Sequence, residues 1–217
     1  MDDRTRVLKK IKLTGKEPTV AARLKLIDYI LYKTNITPLF DLESITNRRF
    51  VSHVKKTLSF SEVMKQLGGK LTYIKSGSGG HVFKGVIPIV DENTGNITEI
   101  NYALKLVPYS RDAIDGGIHS EMRPENVETN VLRCLSKLVI TKQTPHIVLP
   151  IAAFNTDIRP FIDAAASVDN KRYNKFVKDY AQNKFHDTAS VLMSEWATEG
   201  DLLSFLRNNM RIMDESM

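Results

Sequence analysis

Apolar residues Val20, Leu24, Leu26, Ile27, Ile30 and Leu31 recur at spacings of three and four, which predicts an amphipathic helix over 19–33. Thr19 is placed to cap it, and Thr34-Asn35 followed by Pro38 ends it. Ser59-Phe60-Ser61-Glu62 reads as a capping box for a second short helix that closes at Gly68-Gly69. From Leu71 to Tyr109 the period changes to that of strands, with Asp91 to Asn96 as a hairpin loop, so successive antiparallel strands are expected. A helix is predicted from Pro124, with Val127, Val131, Leu132 and Leu135 as its buried face. His146 to Ile151 reads as a further strand. Residues 155–188 then interrupt the pattern as a helical insertion, in which Tyr173, Phe176, Val177 and Tyr180 have helical spacing. A last strand, Ser190 to Glu195, leads to a short helix capped by Asp201 and running through Leu202, Leu203, Phe205 and Leu206.

The pattern divides the chain into a helical extension (1–65), a β-rich lobe (66–200) and the start of a following helix (201–217). Charge follows the same division. Of the net +6, residues 1–65 carry 14 Lys/Arg against 7 Asp/Glu and the remainder 17 against 18, so the basic character belongs to the extension. Such a segment suits an acidic protein partner or serves as a solvated lysine-rich face. It has few interleaved aromatics, which argues against nucleic acid. No apolar stretch approaches the roughly 20 residues of a membrane span, and the charged start MDDRTRVLKK lacks a secretory core. Cys134 is the single cysteine, so no internal disulfide forms and zinc-site spacing is absent; a reducing, intracellular setting is expected.

Two features carry chemistry. Ser76-Gly77-Ser78-Gly79-Gly80-His81-Val82-Phe83-Lys84-Gly85 lies between two predicted strands, where glycines let backbone amides approach phosphate oxygens; an ordinary hairpin would use the same residues. Farther on, Tyr102-Ala103-Leu104-Lys105-Leu106 places a charge inside an apolar strand, which is costly unless it is paired or snorkels from an edge. Glu128 lies three, four and seven residues before Val131, Leu132 and Leu135, so it is expected on the inward side of its helix as a partner for Lys105.

The order strand, glycine loop, strand, Ala-x-Lys, helix with Glu resembles the eukaryotic protein kinase family over about residues 70–208. The resemblance implies an α+β kinase-like N-lobe: a five-stranded antiparallel sheet plus the helix that bears Glu128. It implies ATP as cofactor, with the glycine loop (Gly77, Ser78, Gly79, Gly80) over the phosphates, Val82 against the adenine and Ala103 above the purine. Lys105 would hold the α- and β-phosphates and Glu128 would fix Lys105. In VLMSEWATEGDLLSFL, Ser194 would be the gatekeeper, and Glu195, Trp196 and Ala197 would offer backbone groups to the adenine edge. SGSGGHVFKG, TPHIVLPI and SEWATEGDLLSFL look most like serine/threonine kinases of large nucleocytoplasmic DNA viruses, iridovirus-like ones in particular. That implies host cytoplasm and the virion as locations, and a capsid protein as a possible contact.

Four departures stand against the family pattern. Lys75 occupies the place of the first loop glycine, Gly79 replaces an aromatic tip, and the insertion lengthens a short connection. The fourth is that the 217 residues hold no His-Arg-Asp loop and no Asp-Phe-Gly metal site. The expectation is therefore a chain that stops before the lobe carrying the catalytic base and magnesium ligands, and that does not transfer phosphate alone. The alternative is a non-catalytic, kinase-like scaffolding protein. The extension's helix is too short to be stable alone, so it is expected to dock on the lobe or on another protein. Arg4, Lys9, Lys10, Lys12, Arg48, Arg49, Lys55 and Lys56 would then face outward.

Overall fold

In the second and third strands buried and half-buried residues alternate, and that alternation sets the architecture. A computed structural model describes residues 19–32, 34–39, 55–90, 97–112, 114, 116–164 and 168–197. Helix α1 (Val20–Leu31) and helix α2 (Phe60–Leu67) precede strands β1 (Lys70–Gly77), β2 (Gly80–Val90) and β3 (Ile97–Ser110). Helix α3 (Pro124–Ile140), strand β4 (Pro150–Asp157), the short α4 (Arg159–Asp163), α5 (Lys171–Ala181) and β5 (Phe185–Glu195) follow. The strands form one antiparallel sheet in the order β1-β2-β3-β5-β4, giving an α+β fold. The loop expected at 91–96, the helix after Asp201, and Arg4, Lys9, Lys10, Lys12, Arg48 and Arg49 lie outside the described residues.

His81, Phe83 and Ile87 of β2 are buried, as are Tyr102, Leu104 and Leu106 of β3, while the residues between them are half-buried. Register places these buried residues on one face, because His81 pairs with Leu106 and Phe83 with Leu104. That face is covered by the chain's own helices. Ile27 and Ile30 of α1, Val63 and Leu67 of α2, and Tyr173 and Phe176 of α5 join the sheet in one hydrophobic cluster. Tyr73, Phe83, Phe161 and Tyr173 form its aromatic centre, at centroid separations of 5.1–6.2 Å.

The extension thus docks on the lobe, through side chains and through backbone. Thr19 caps α1 by accepting from the Ala22 amide. The free edge of β4 meets two short extension segments: Pro38 bridges Ala152, and Thr57 bridges Asn155 in parallel. Covering an edge in this way removes a row of unpaired backbone groups. At the end of β5, Arg23 donates to both carboxylate oxygens of Glu195 (2.9 and 2.6 Å) and to the carbonyls of Pro145 and Ile147.

The structure corrects several expectations. Lys55 does not face outward; it is 5% exposed, whereas Lys56 is exposed. Ser59 begins α2 without a side-chain cap hydrogen bond. The strand expected at His146 starts at Pro150, and β4 runs on to Asp157 while β5 starts at Phe185, so the helical insertion occupies 158–184. Polar Asn155 and Thr156 look like the end of a strand in sequence, yet both are buried. Asn155 Oδ1 accepts from Tyr109 and Thr156 donates to the Leu58 carbonyl. In α3, Val127, Val131 and Leu135 are exposed (42, 48 and 38%), and the buried residues are Thr129, Ser136 and Val139.

The Arg23–Glu195 pair, with side chains 11% and 14% exposed, yields a stability prediction. Arg23→Ala leaves a mostly buried carboxylate short of its cation and is expected to cost about 3 kcal/mol in urea unfolding. A loss below about 1 kcal/mol would make the pair an ordinary surface contact.

Candidate functional site

The glycine-rich segment forms the tip of the β1–β2 hairpin, with Gly77 opposite Gly80 and Ser78-Gly79 as the two-residue turn. Gly80 has φ +126°, a region that L side chains avoid, and a Cβ there would run into the Leu106 carbonyl oxygen. Gly79 approaches the next strand, where a Cβ would stand 3.2 Å from Lys105 Nζ. Lys75, in place of a first glycine, lies where a register shift interrupts the β1–β2 ladder.

Val82 pairs with Lys105, Lys84 with Ala103, and Ala103 with Ser194, so these five residues share the sheet face opposite the helical cover. All five are half-buried. Lys105 Nζ donates to both oxygens of Glu128 at 2.7 Å, joining the central strand to α3, with side chains 27% and 38% exposed. Thr129 and Ser136 let α3 lie close to its neighbours because each hydroxyl donates to the carbonyl four residues back (2.9 and 2.7 Å).

At the far end of β5 the backbone groups expected at the adenine edge are partly engaged. The Glu195 amide donates to the Leu149 carbonyl (3.0 Å), and its carboxylate accepts from the Leu149 amide as well as from Arg23. The Glu195 carbonyl accepts a long bond from Ser194 Oγ (3.3 Å), and Glu195 itself pairs with Tyr102 of β3. Lys84 lies 5.3 Å from the Trp196 ring centre, which places the indole beside the face that bears Ala103. Ala197 is exposed.

This chain is similar to a viral protein named as a kinase. It is 36% identical over 203 residues to "Putative serine/threonine-protein kinase R400" of Acanthamoeba polyphaga mimivirus, a match covering 90% of this chain. The chain spans 42% of that relative's length. No family model matches it, and neither does any solved structure. Similarity of this extent supports a kinase-like relationship in a large DNA virus. No described helix is long and apolar enough to cross a membrane.

Sequence reasoning missed Lys55. Its ammonium donates to Ser190 Oγ (2.6 Å) on β5 and to the Glu125 carbonyl (3.1 Å) in the first turn of α3. Burial pushes its pKa down to about 8, against the opposing pull of the Glu125 and Glu128 carboxylates. His81, quoted in the glycine-rich segment with no role of its own, is a second such residue. It is buried behind the glycine tip, and burial pushes its imidazole down to about 4, so it is neutral at pH 7. No sequence signal marks Lys55, because its partners are 70 and 135 residues away.

Lys55 fixes a pH dependence. Between about pH 8 and its ordinary value of 10.5 the unfolded chain holds a proton that the folded chain has released, so stability rises with pH across that window and falls as pH drops through 8. In chemical denaturation from pH 8 to 10 this group is expected to add about 1 kcal/mol per pH unit relative to Lys55→Met. Parallel pH profiles for the two proteins would contradict it.

Proposed function

We propose that this chain is the ATP-binding part of a serine/threonine protein kinase, which in the complete protein transfers phosphate from ATP to protein hydroxyls. The observation that carries the reading is the 2.7 Å pair between Lys105 and Glu128, formed on the face that also bears Val82, Ala103 and Ser194. A lysine fixed by a carboxylate presents a directed cation to nucleotide phosphates. Val82 and Ala103 offer an apolar surface for the purine, and the backbone groups of Glu195, Trp196 and Ala197 lie at its edge. The glycine tip fits a polyphosphate because no side chain stands at Gly77, Gly79 or Gly80. A Cβ at Gly79 would stand 3.2 Å from the Lys105 ammonium, so on this reading the tip rises when phosphates enter.

Magnesium, when bound with ATP, neutralises the developing phosphate charge. Among the described residues no cluster of three or more His, Cys, Asp or Glu is placed to hold it. On this reading its ligands, like the catalytic base, belong to another part of the full-length protein. Specificity for serine and threonine follows the relative's name and the sequence resemblance, as does a site of action in the infected host cell.

The resting place of Gly79 beside Lys105 favours a second reading, a kinase-like scaffold without chemistry, associated with virion or capsid proteins. Nucleotide titration separates the two. The chain is expected to bind ATP, and Lys105→Ala to weaken that binding about 10- to 100-fold through loss of a charge-assisted contact. The same substitution is expected to leave the melting transition nearly unchanged, since a half-exposed pair contributes about 1 kcal/mol or less. Wild-type chain that ignores ATP in calorimetry, or a variant that binds it equally well, would remove Lys105 from this role.

A further inference from the structure

The insertion between β4 and β5 does more than fill space over the sheet. Helix α5 begins at Asn170, whose side chain accepts from the Arg172 and Tyr173 amides, and this cap directs the first turn at the β1–β2 hairpin. Arg172 Nη1 donates to the Ser76 carbonyl at 3.2 Å. Ser76 Oγ in turn contacts His81 Nδ1 (2.7 Å) and the Tyr73 hydroxyl (2.8 Å), tying the two stems of the glycine tip together. The His81 ring packs edge-on against Tyr173 (5.0 Å) and tilted against Phe176 (4.4 Å), both from α5. Tyr173 is anchored below by donating to the Phe161 carbonyl at 2.7 Å. A cleft of about 630 Å³ separates the tip from the start of α3 and from the rest of α5, leaving the tip room to move.

We propose that α5 is a clamp on the glycine-rich loop, with Arg172 as a positioning residue for nucleotide phosphates. The clamp fixes the stems at Ser76 and His81 and confines motion to Gly77, Ser78 and Gly79, where the absence of large side chains allows the tip to rise off Lys105. Loop amides whose stems are already ordered lose less conformational freedom when they close on phosphate. The adenine-facing residues Val82, Ala103 and Ser194 take no part, so the clamp acts on the phosphate end of the ligand alone. This inference rests on the ATP-binding reading for its effect on affinity, but not for its effect on the loop.

The test uses the full chain with Arg172→Ala, Arg172→Lys and Ser76→Ala. Each is measured for ATP and adenosine affinity by calorimetry and for amide hydrogen exchange of residues 76–81. Arg172 is exposed, so its replacement spares the core. Arg172→Ala is expected to weaken ATP about three- to tenfold, the worth of one hydrogen bond with a charged donor. Adenosine binding should hold, exchange at 76–81 should accelerate, and Arg172→Lys should recover part of both. Ser76→Ala should show the same exchange effect if Arg172→Ala perturbs its fold. Equal losses for ATP and adenosine, or unchanged exchange in both Arg172→Ala and Ser76→Ala, would overturn the clamp. A wild-type chain that binds neither ligand would overturn the ATP-binding reading. The exchange of residues 76–81 in the variants would then decide the clamp by itself.

Discussion

A cation in the central strand of a sheet is steadied by a carboxylate within reach, and this contact joins α3 to the sheet. Lys105 lies in β3, third in a five-strand order, where it cannot escape past an edge. Glu128 meets it at 2.7 Å. Residues advance about 100° per position around a helix. Thr129, Leu132, Ser136 and Val139 therefore fall to one side of Glu128, and Val127, Val131 and Leu135 to the other. The first side is packed and the second is turned outward. The helix contacts the lobe along a line of small hydroxyl residues, and its larger apolar stripe stays uncovered among the described residues.

The same economy governs the two faces of the sheet. One face is closed by helices recruited from before the sheet and from between its last two strands, so the extension and insertion are parts of one core. The other face keeps Val82, Lys84, Ala103, Lys105 and Ser194 half-exposed. A lobe that supplies its own cover for one side can leave the other side open. The buried Arg23–Glu195 pair and the two bridges to β4 act in the same sense, fastening the extension at both the end of β5 and the outer edge of β4.

Much of this was legible in the sequence, because period-2 alternation in β2 and β3 and the glycine run between β1 and β2 are local signals. The pairing of Lys105 with Glu128 was also legible, since a lone charge in an apolar strand demands a partner. The reason given for its helix was wrong: the apolar stripe of α3 is not its buried face. Thr129 and Ser136 satisfy their own hydroxyls within the helix and can be buried at little cost, so polarity misreports their position. Asn155 and Thr156 misled in the same way. Arg23, Lys55 and Arg172 were invisible as site-bearing residues because their partners lie 172, 135 and 96 positions away. Long basic side chains read as surface until the partner is known.

The start of α3 gathers three cations, Lys55, Lys105 and Arg123, around the acids Glu125 and Glu128, and the unequal burial of the two lysines links the extension to the site. Lys105 is open enough to solvent that losing Glu128 would leave a tolerable surface charge. Lys55 is not: at 5% exposure its ammonium depends on Ser190 Oγ, the Glu125 carbonyl and the nearby Glu125 and Glu128 carboxylates. An outward swing of α3 would break the Lys105–Glu128 pair and, in the same motion, strip Lys55 of its carbonyl and of its compensating charge. Because the second penalty is the larger, Lys55, bonded to Ser190 Oγ and to the Glu125 carbonyl, restrains the start of α3 more strongly than the Lys105–Glu128 pair does. The arrangement of the pair at the candidate site is thus a property of the docked extension as much as of the sheet that bears Lys105.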